Sequence, residues 1–176
     1  TFNLSRTVDV RLDPALGGGS IWDVGCYPIS FTRFVLGAEP VEVFGWADFG
    51  KSGVDETFVG QMRFANGALA QFDSGFRSPL RAQIEIVGSE GTLLIPTPFR
   101  PGLNESFYLT RNGETETIIT PGQELYIGEV EDMADAILEG KPSRVSLADS
   151  RGNVAAIVAL LASAREGKPI KAEYGP

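Results

Sequence analysis

Between Val41 and Thr120 the chain alternates apolar and polar residues in short runs, and twice the alternation breaks at Asn-Gly. Successive side chains of a strand point to opposite faces, so such runs predict strands buried on one face only. Asn66-Gly67 and Asn112-Gly113 each predict a type I′ hairpin, because both central residues of that turn need positive φ. The strands expected are 41–49, 54–65, 68–77, 80–87, 91–95, 106–111 and 114–120, with an opening strand over 2–11. Ala68, Ala70, Phe72, Ser74 and Phe76 should share one face of theirs, and Leu69, Gln71, Asp73 and Arg77 the other. Hairpins in series build an antiparallel sheet. Helical periodicity predicts helices over 20–36, 123–139 and 147–166. The last two end in Glu-Gly-Lys-Pro, with glycine at the C′ position and proline beyond, a stop by φ preference and missing donor. The expected fold is α+β: an open, mostly antiparallel sheet with helices packed on one face, forming a single domain over 1–176.

Composition excludes several chemistries. The net charge is −8 and no Lys/Arg cluster occurs, so nucleic acid is not an expected partner. The single cysteine, Cys26, forbids an intrachain disulfide; its apolar neighbours suggest a buried, inert thiol. With no signal peptide and no unbroken apolar run of about 18 residues, we expect no membrane partner and a cytoplasmic location. Histidine is absent, which removes His triads, His metal sites and His bases. Acid–base work must fall to Tyr, Lys, Asp, Glu or Cys.

The chemistry-bearing stretch is Gly17-Gly18-Gly19-Ser20-Ile21-Trp22-Asp23-Val24-Gly25-Cys26-Tyr27-Pro28. Three glycines permit positive φ and the close approach of another surface. On a regular helix, Asp23 and Tyr27 would share a face, about 40° apart. A carboxylate and a phenol so placed can reach one small ligand. Pro28 has no N–H for the Val24 carbonyl, so a kink or a helix restart is expected there.

This stretch resembles the motif opening the second domain of the glucose–fructose oxidoreductase / inositol dehydrogenase / MocA family. The likeness is greatest to the branch of dihydrodiol and NADP-linked xylose dehydrogenases. Further matches follow in family order: Val10-Arg11-Leu12-Asp13-Pro14, Gly37-Ala38-Glu39-Pro40, Gly53-Val54-Asp55-Glu56-Thr57 and Gly88-Ser89-Glu90-Gly91-Thr92-Leu93. The resemblance implies the C-terminal half of a two-domain enzyme whose N-terminal Rossmann domain, absent from this sequence, binds NAD or NADP and carries a catalytic lysine in Glu-Lys-Pro. It implies a CH–OH oxidoreductase acting on a sugar, polyol or dihydrodiol, inactive as this segment alone. Tyr27 would exchange the substrate's proton, Asp23 would bind or orient a substrate hydroxyl or the lysine, and Arg11 and Trp22 would line the pocket, although Arg11 reads equally as a surface ion pair and Trp22 more readily as core. Tyr126 fits a family pattern too, although an aromatic on a helix face usually packs. A homodimer or higher oligomer through the open sheet face is expected. The alternatives are a non-catalytic dimeric binding or assembly domain, or an NAD-dependent glycosidase of the same superfamily.

One tempting motif fails. Gly45-Trp46-Ala47-Asp48-Phe49-Gly50-Lys51-Ser52 matches the P-loop formula, yet two bulky rings and a carboxylate sit in the loop and a strand pattern follows. A hairpin turn at Gly50–Gly53 is the better reading. No G-x-G-x-x-G occurs, so the chain carries no Rossmann fingerprint.

Overall fold

The computed structural model describes residues 1–174. All strand pairings among them are antiparallel, as the hairpin signals require, and hydrogen bonding divides the seven strands into a sheet of three and a sheet of four. These sheets belong to two compact units, one of residues 1–81 with the segment from Leu147 onward, the other of residues 82–146.

The first unit contains a π-helical turn, Ile21–Gly25, running into α1, Cys26–Leu36, then β1, Pro40–Phe49, β2, Asp55–Phe64, and β3, Leu69–Gly75. The helical backbone is continuous from the π-turn into α1, and Pro28 is the third residue of α1, just past the point where π geometry gives way to α. The helix neither stops nor restarts at the proline; the irregularity is the π-turn just ahead of it. Register sets Val43, Met62 and Ala70 side by side on one face, then Ala47, Phe58 and Ser74. Between these rows Gly45 pairs with Gly60, and the Phe58 and Phe72 rings fill the space that Cβ atoms would take there. The two rings stack at 6.2 Å. The last helix of the chain, Leu147–Glu166, lays Ala156, Ile157, Ala159 and Leu160 on this face, completing the core with Ile21, Ile29 and Phe64. Each large side chain buried here contributes roughly 1.5–3 kcal/mol. That helix is long and apolar enough, by composition, to cross a membrane, but its apolar face is spent on the sheet. Arg33 of α1, 4% exposed, clamps the same helix. Its guanidinium grips Glu39 with two bonds of 2.6 Å and donates to the Asp149 carbonyl at 3.1 Å.

The second unit contains β4, Ile84–Gly88, β5, Gly91–Ile95, β6, Asn104–Arg111, and β7, Glu114–Pro121, in that spatial order, followed by α2, Ile127–Glu139. The helix Leu147–Glu166 is α3.

Four local expectations need correction. Residues 2–11 do not form a strand. Phe2 and Leu4 bond to the end of β3, and a bridge joins Asn3 to Arg77. The chain then turns into 3-10 turns, Val10–Leu12 and Pro14–Leu16, because Asp9 and Asp13 accept from backbone N–H groups two residues on. The Asn66-Gly67 turn is not type I′. Only Gly67 has positive φ, the Gly67 N–H bonds the Phe64 carbonyl, and Asn66 Oδ1 takes the Ala68 N–H, giving a type I turn with a bulge. Asn112 and Gly113, at φ 51° and 81°, do form type I′. β4 starts four residues late because Arg81 exchanges two backbone bonds with Thr1. α2 begins at Ile127, after Tyr126 takes φ 73°.

The helix stops behave as expected. Gly37, Gly140 and Gly167 are all left-handed. Gly50–Gly53 is a hairpin turn closed by Gly50 N–H to the Val54 carbonyl at 2.9 Å, and β2 follows, so the P-loop reading is excluded by the backbone.

Candidate active site

The glycine run is anchored from both sides. Gly18 and Gly19 turn back onto the first 3-10 segment, with Gly18 N–H to the Asp13 carbonyl and Gly19 N–H to the Arg11 carbonyl, both 2.9 Å. A Cβ on Gly18 would lie 2.6 Å from the Arg11 carbonyl oxygen, so only glycine fits. Gly19 takes φ +123° and lies against the Asp55 carboxylate. Asp55, at the start of β2 and 2% exposed, reaches across from the sheet. Its Oδ2 accepts from Ser20 Oγ at 2.7 Å and from the Ile21 N–H at 2.8 Å. Ser20 Oγ also meets Ser74 Oγ of β3 at 3.1 Å. A carboxylate thus occupies the N-terminus of the π-turn, where backbone N–H groups attract negative charge. Sequence reasoning quoted Asp55 in a motif but assigned it no role.

Beyond this anchor the structure joins two of the four expected site residues directly. Arg11 Nε donates to Asp23 Oδ2 at 2.9 Å, while Arg11 Nη1 and its backbone N–H bond Asp9 Oδ1 at 3.2 and 3.0 Å. The Arg11 guanidinium also lies over the Phe2 ring, 5.9 Å from its centre. Both members of the ion pair stay reachable, with side chains 39% and 26% exposed. The Asp23 bond raises the Arg11 pKa further, and the Arg11 backbone N–H holds the Asp9 carboxyl below its ordinary value. Tyr27 lies in the first turn of α1, 51% exposed. Asp23 belongs to the π-turn, so the two do not share one regular α-helix and the 3.6-residue spacing does not apply between them. Trp22 is partly buried and packs on the core cluster. Cys26 packs there too, and burial pushes its thiol pKa up. No group of three or more His, Cys, Asp or Glu side chains suited to a metal occurs among the described residues.

A dinucleotide does not fit these residues. The strands that follow the glycine run are antiparallel, and the helix start that would face a pyrophosphate is already filled by the buried Asp55 carboxylate.

Burial, the largest influence on Asp55, raises its carboxyl above the ordinary 3.8, and the bonds from Ser20 and Ile21 oppose that shift. A carboxyl raised in the folded state binds its proton more tightly there than in the unfolded chain. Its contribution to stability is whole below the ordinary value and is lost as pH rises through the raised one. Asp55→Asn lacks this titration. Its stability should therefore gain on wild type as pH rises above about 4, the ordinary carboxyl value. Urea midpoints of both proteins across that range check this, and a constant difference would contradict it.

The family model of the GFO/IDH/MocA C-terminal domain matches residues 2–94. The chain belongs to this family. It is 30% identical to a D-xylose 1-dehydrogenase (NADP(+)) of Haloferax volcanii, over 93% of the chain and 51% of the relative. It is 32% identical to a trans-1,2-dihydrobenzene-1,2-diol dehydrogenase of Xenopus laevis, over 52% of the chain and 28% of that relative. Among solved structures, an aldose-aldose oxidoreductase from Caulobacter crescentus complexed with glycerol superposes with TM-score 0.86 at 25% identity, over 97% of the chain and 52% of the other. The chain spans about half the length of the first two curated relatives it matches.

Proposed function

We propose that this chain is the substrate-binding and dimerisation half of an NAD(P)-dependent oxidoreductase that acts on the CH–OH group of a sugar, polyol or dihydrodiol. The observation that carries the reading is the succession along one helix start of an anchored glycine loop, the Arg11–Asp23 ion pair and the half-exposed Tyr27 phenol. The names of the relatives, a D-xylose dehydrogenase linked to NADP(+) and a dihydrodiol dehydrogenase, support the substrate class. The nucleotide belongs to a separate domain of the full-length protein and, when bound, supplies the hydride acceptor.

The chain's own residues then do the rest. Tyr27 exchanges the proton of the reacting hydroxyl. Asp23, oriented by Arg11 through Oδ2, accepts a hydrogen bond from a substrate hydroxyl. Arg11 donates to substrate oxygen at the pocket edge, and Trp22 backs the pocket from the core side. The face of the first sheet turned away from α3, with Trp46, Val59 and Leu69 among exposed polar residues, is the dimer surface. Light scattering of the full-length protein should read at least twice the protomer mass; a monomer at micromolar concentration removes the dimer.

The test of the activity is direct. Full-length protein with NADP+ and D-xylose should form NADPH steadily, with one NADPH per sugar oxidised. This segment alone should form none. Absence of turnover with D-xylose, other aldoses, polyols and dihydrodiols would favour a non-catalytic binding domain. Glycoside cleavage without net NADPH would favour the glycosidase alternative.

A further inference from the structure

We infer that Asp55 is the positioning residue of this site: from the first strand pair it fixes the Gly19–Ile21 backbone and so aims Asp23 and Tyr27. The inference rests on the reading of Tyr27 as the proton-exchanging group. Asp55 stands 35 residues from Ser20 in sequence, yet its Oδ2 takes both the Ser20 hydroxyl and the Ile21 N–H. Ser74 of β3 adds a second tie to the same hydroxyl. The helix that carries Tyr27 thus starts from a point tied to two strands of the sheet as well as to the loop. The glycine next to it leaves just enough room for the carboxylate. Neither Asp55 nor Ser20 is exposed, at 2% and 0%, so neither touches substrate. The role is therefore one of placement. A buried carboxylate accepting two donors of one turn sets both the position and the direction of that turn. Loss of one acceptor geometry leaves the turn free to shift, and a shift of about 1 Å at a reacting group costs on the order of 100-fold in rate.

A double-mutant cycle in the full-length protein, with NADP+ and D-xylose as probes, tests this. Asp55→Asn should lower kcat/KM by about 10- to 100-fold with NADP+ affinity unchanged, since the nucleotide sits in another domain. In a Tyr27→Phe background the same change should cost less than about 2-fold, because residues acting through one another are not additive. Equal losses in both backgrounds, or no loss in the Tyr27 protein, overturn the inference. If Asp55→Asn does not fold, Ser20→Ala replaces it, with a smaller loss and the same dependence on Tyr27; an additive loss overturns the inference. Tyr27→Phe without effect on kcat/KM would remove the proton-exchange reading itself and the positioning role with it, a result distinct from the previous ones. Should D-xylose not be turned over, amide hydrogen exchange of the full-length protein decides. Asp55→Asn should speed exchange over residues 19–27 by about 10-fold or more while α3 stays protected. Equal loss of protection in both regions would mark Asp55 as a general stabiliser and overturn the proposal.

Discussion

Tyr27→Phe in the full-length protein should lower kcat by about 100- to 10,000-fold, the range that a positioned proton-transfer group contributes. The ring stays and only the hydroxyl is lost. Tyr27 is half exposed on the first turn of α1, so its change leaves the packed core of Ile21, Ile29 and Phe58 untouched. The unfolding free energy from urea denaturation should stay within about 0.5 kcal/mol of wild type, as for most exposed positions. KM should change little, because the proton moves only in the transition state. Steady-state kinetics beside a denaturation curve separates the two effects. Unaltered kcat would strip Tyr27 of its role, and the family assignment would stand without it.

Gly19→Ala should destabilise the protein by about 3 kcal/mol or more, from two additive causes. Its φ of +123° lies outside the region that L side chains adopt, and such a residue costs of order 1–3 kcal/mol. Its new Cβ would also land on Asp55 Oδ1. The carboxylate must then move off Ser20 and Ile21, and a buried group stripped of its donors costs about 1–3 kcal/mol more. Gly17→Ala is the control. Gly17 also has positive φ, at +74°, but no atom lies within 4 Å of its Cβ position. It should cost only about 1–2 kcal/mol. Equal losses for the two variants, measured by urea unfolding, would show that the Asp55 contact contributes nothing.

Those two glycines show how far the sequence is legible. A run of three reads as freedom of φ, yet only Gly17 and Gly19 use positive φ, while Gly18 is needed for closeness to the Arg11 and Asp13 carbonyls. The Asn-Gly pairs make the same point. Asn112-Gly113 adopts the type I′ turn the dipeptide favours, whereas Asn66 spends its side chain on the Ala68 N–H and lets the turn close as type I. Local chemistry chose between two geometries that the dipeptide alone leaves open. In the opening segment, the alternation of Phe2, Leu4, Val8 and Val10 was outweighed by Asp9 and Asp13. Their short side chains capture backbone donors that a strand would have needed.

By itself the sequence determined what depends on neighbours along the chain: the antiparallel strands from their period of two, the helix stops at Gly37, Gly140 and Gly167, and a carboxylate and a phenol near one helix start. Only the tertiary structure decided what depends on residues far apart. It brought Asp55 onto Ser20 and Ile21, paired Arg11 with Asp23, drew Trp22 into the core packing and started α1 as a π-turn. The physical reason is range. Backbone φ preferences and side-chain periodicity act within a few residues, whereas a buried carboxylate must find its donors wherever folding places them, because leaving it without them costs more than any local preference contributes.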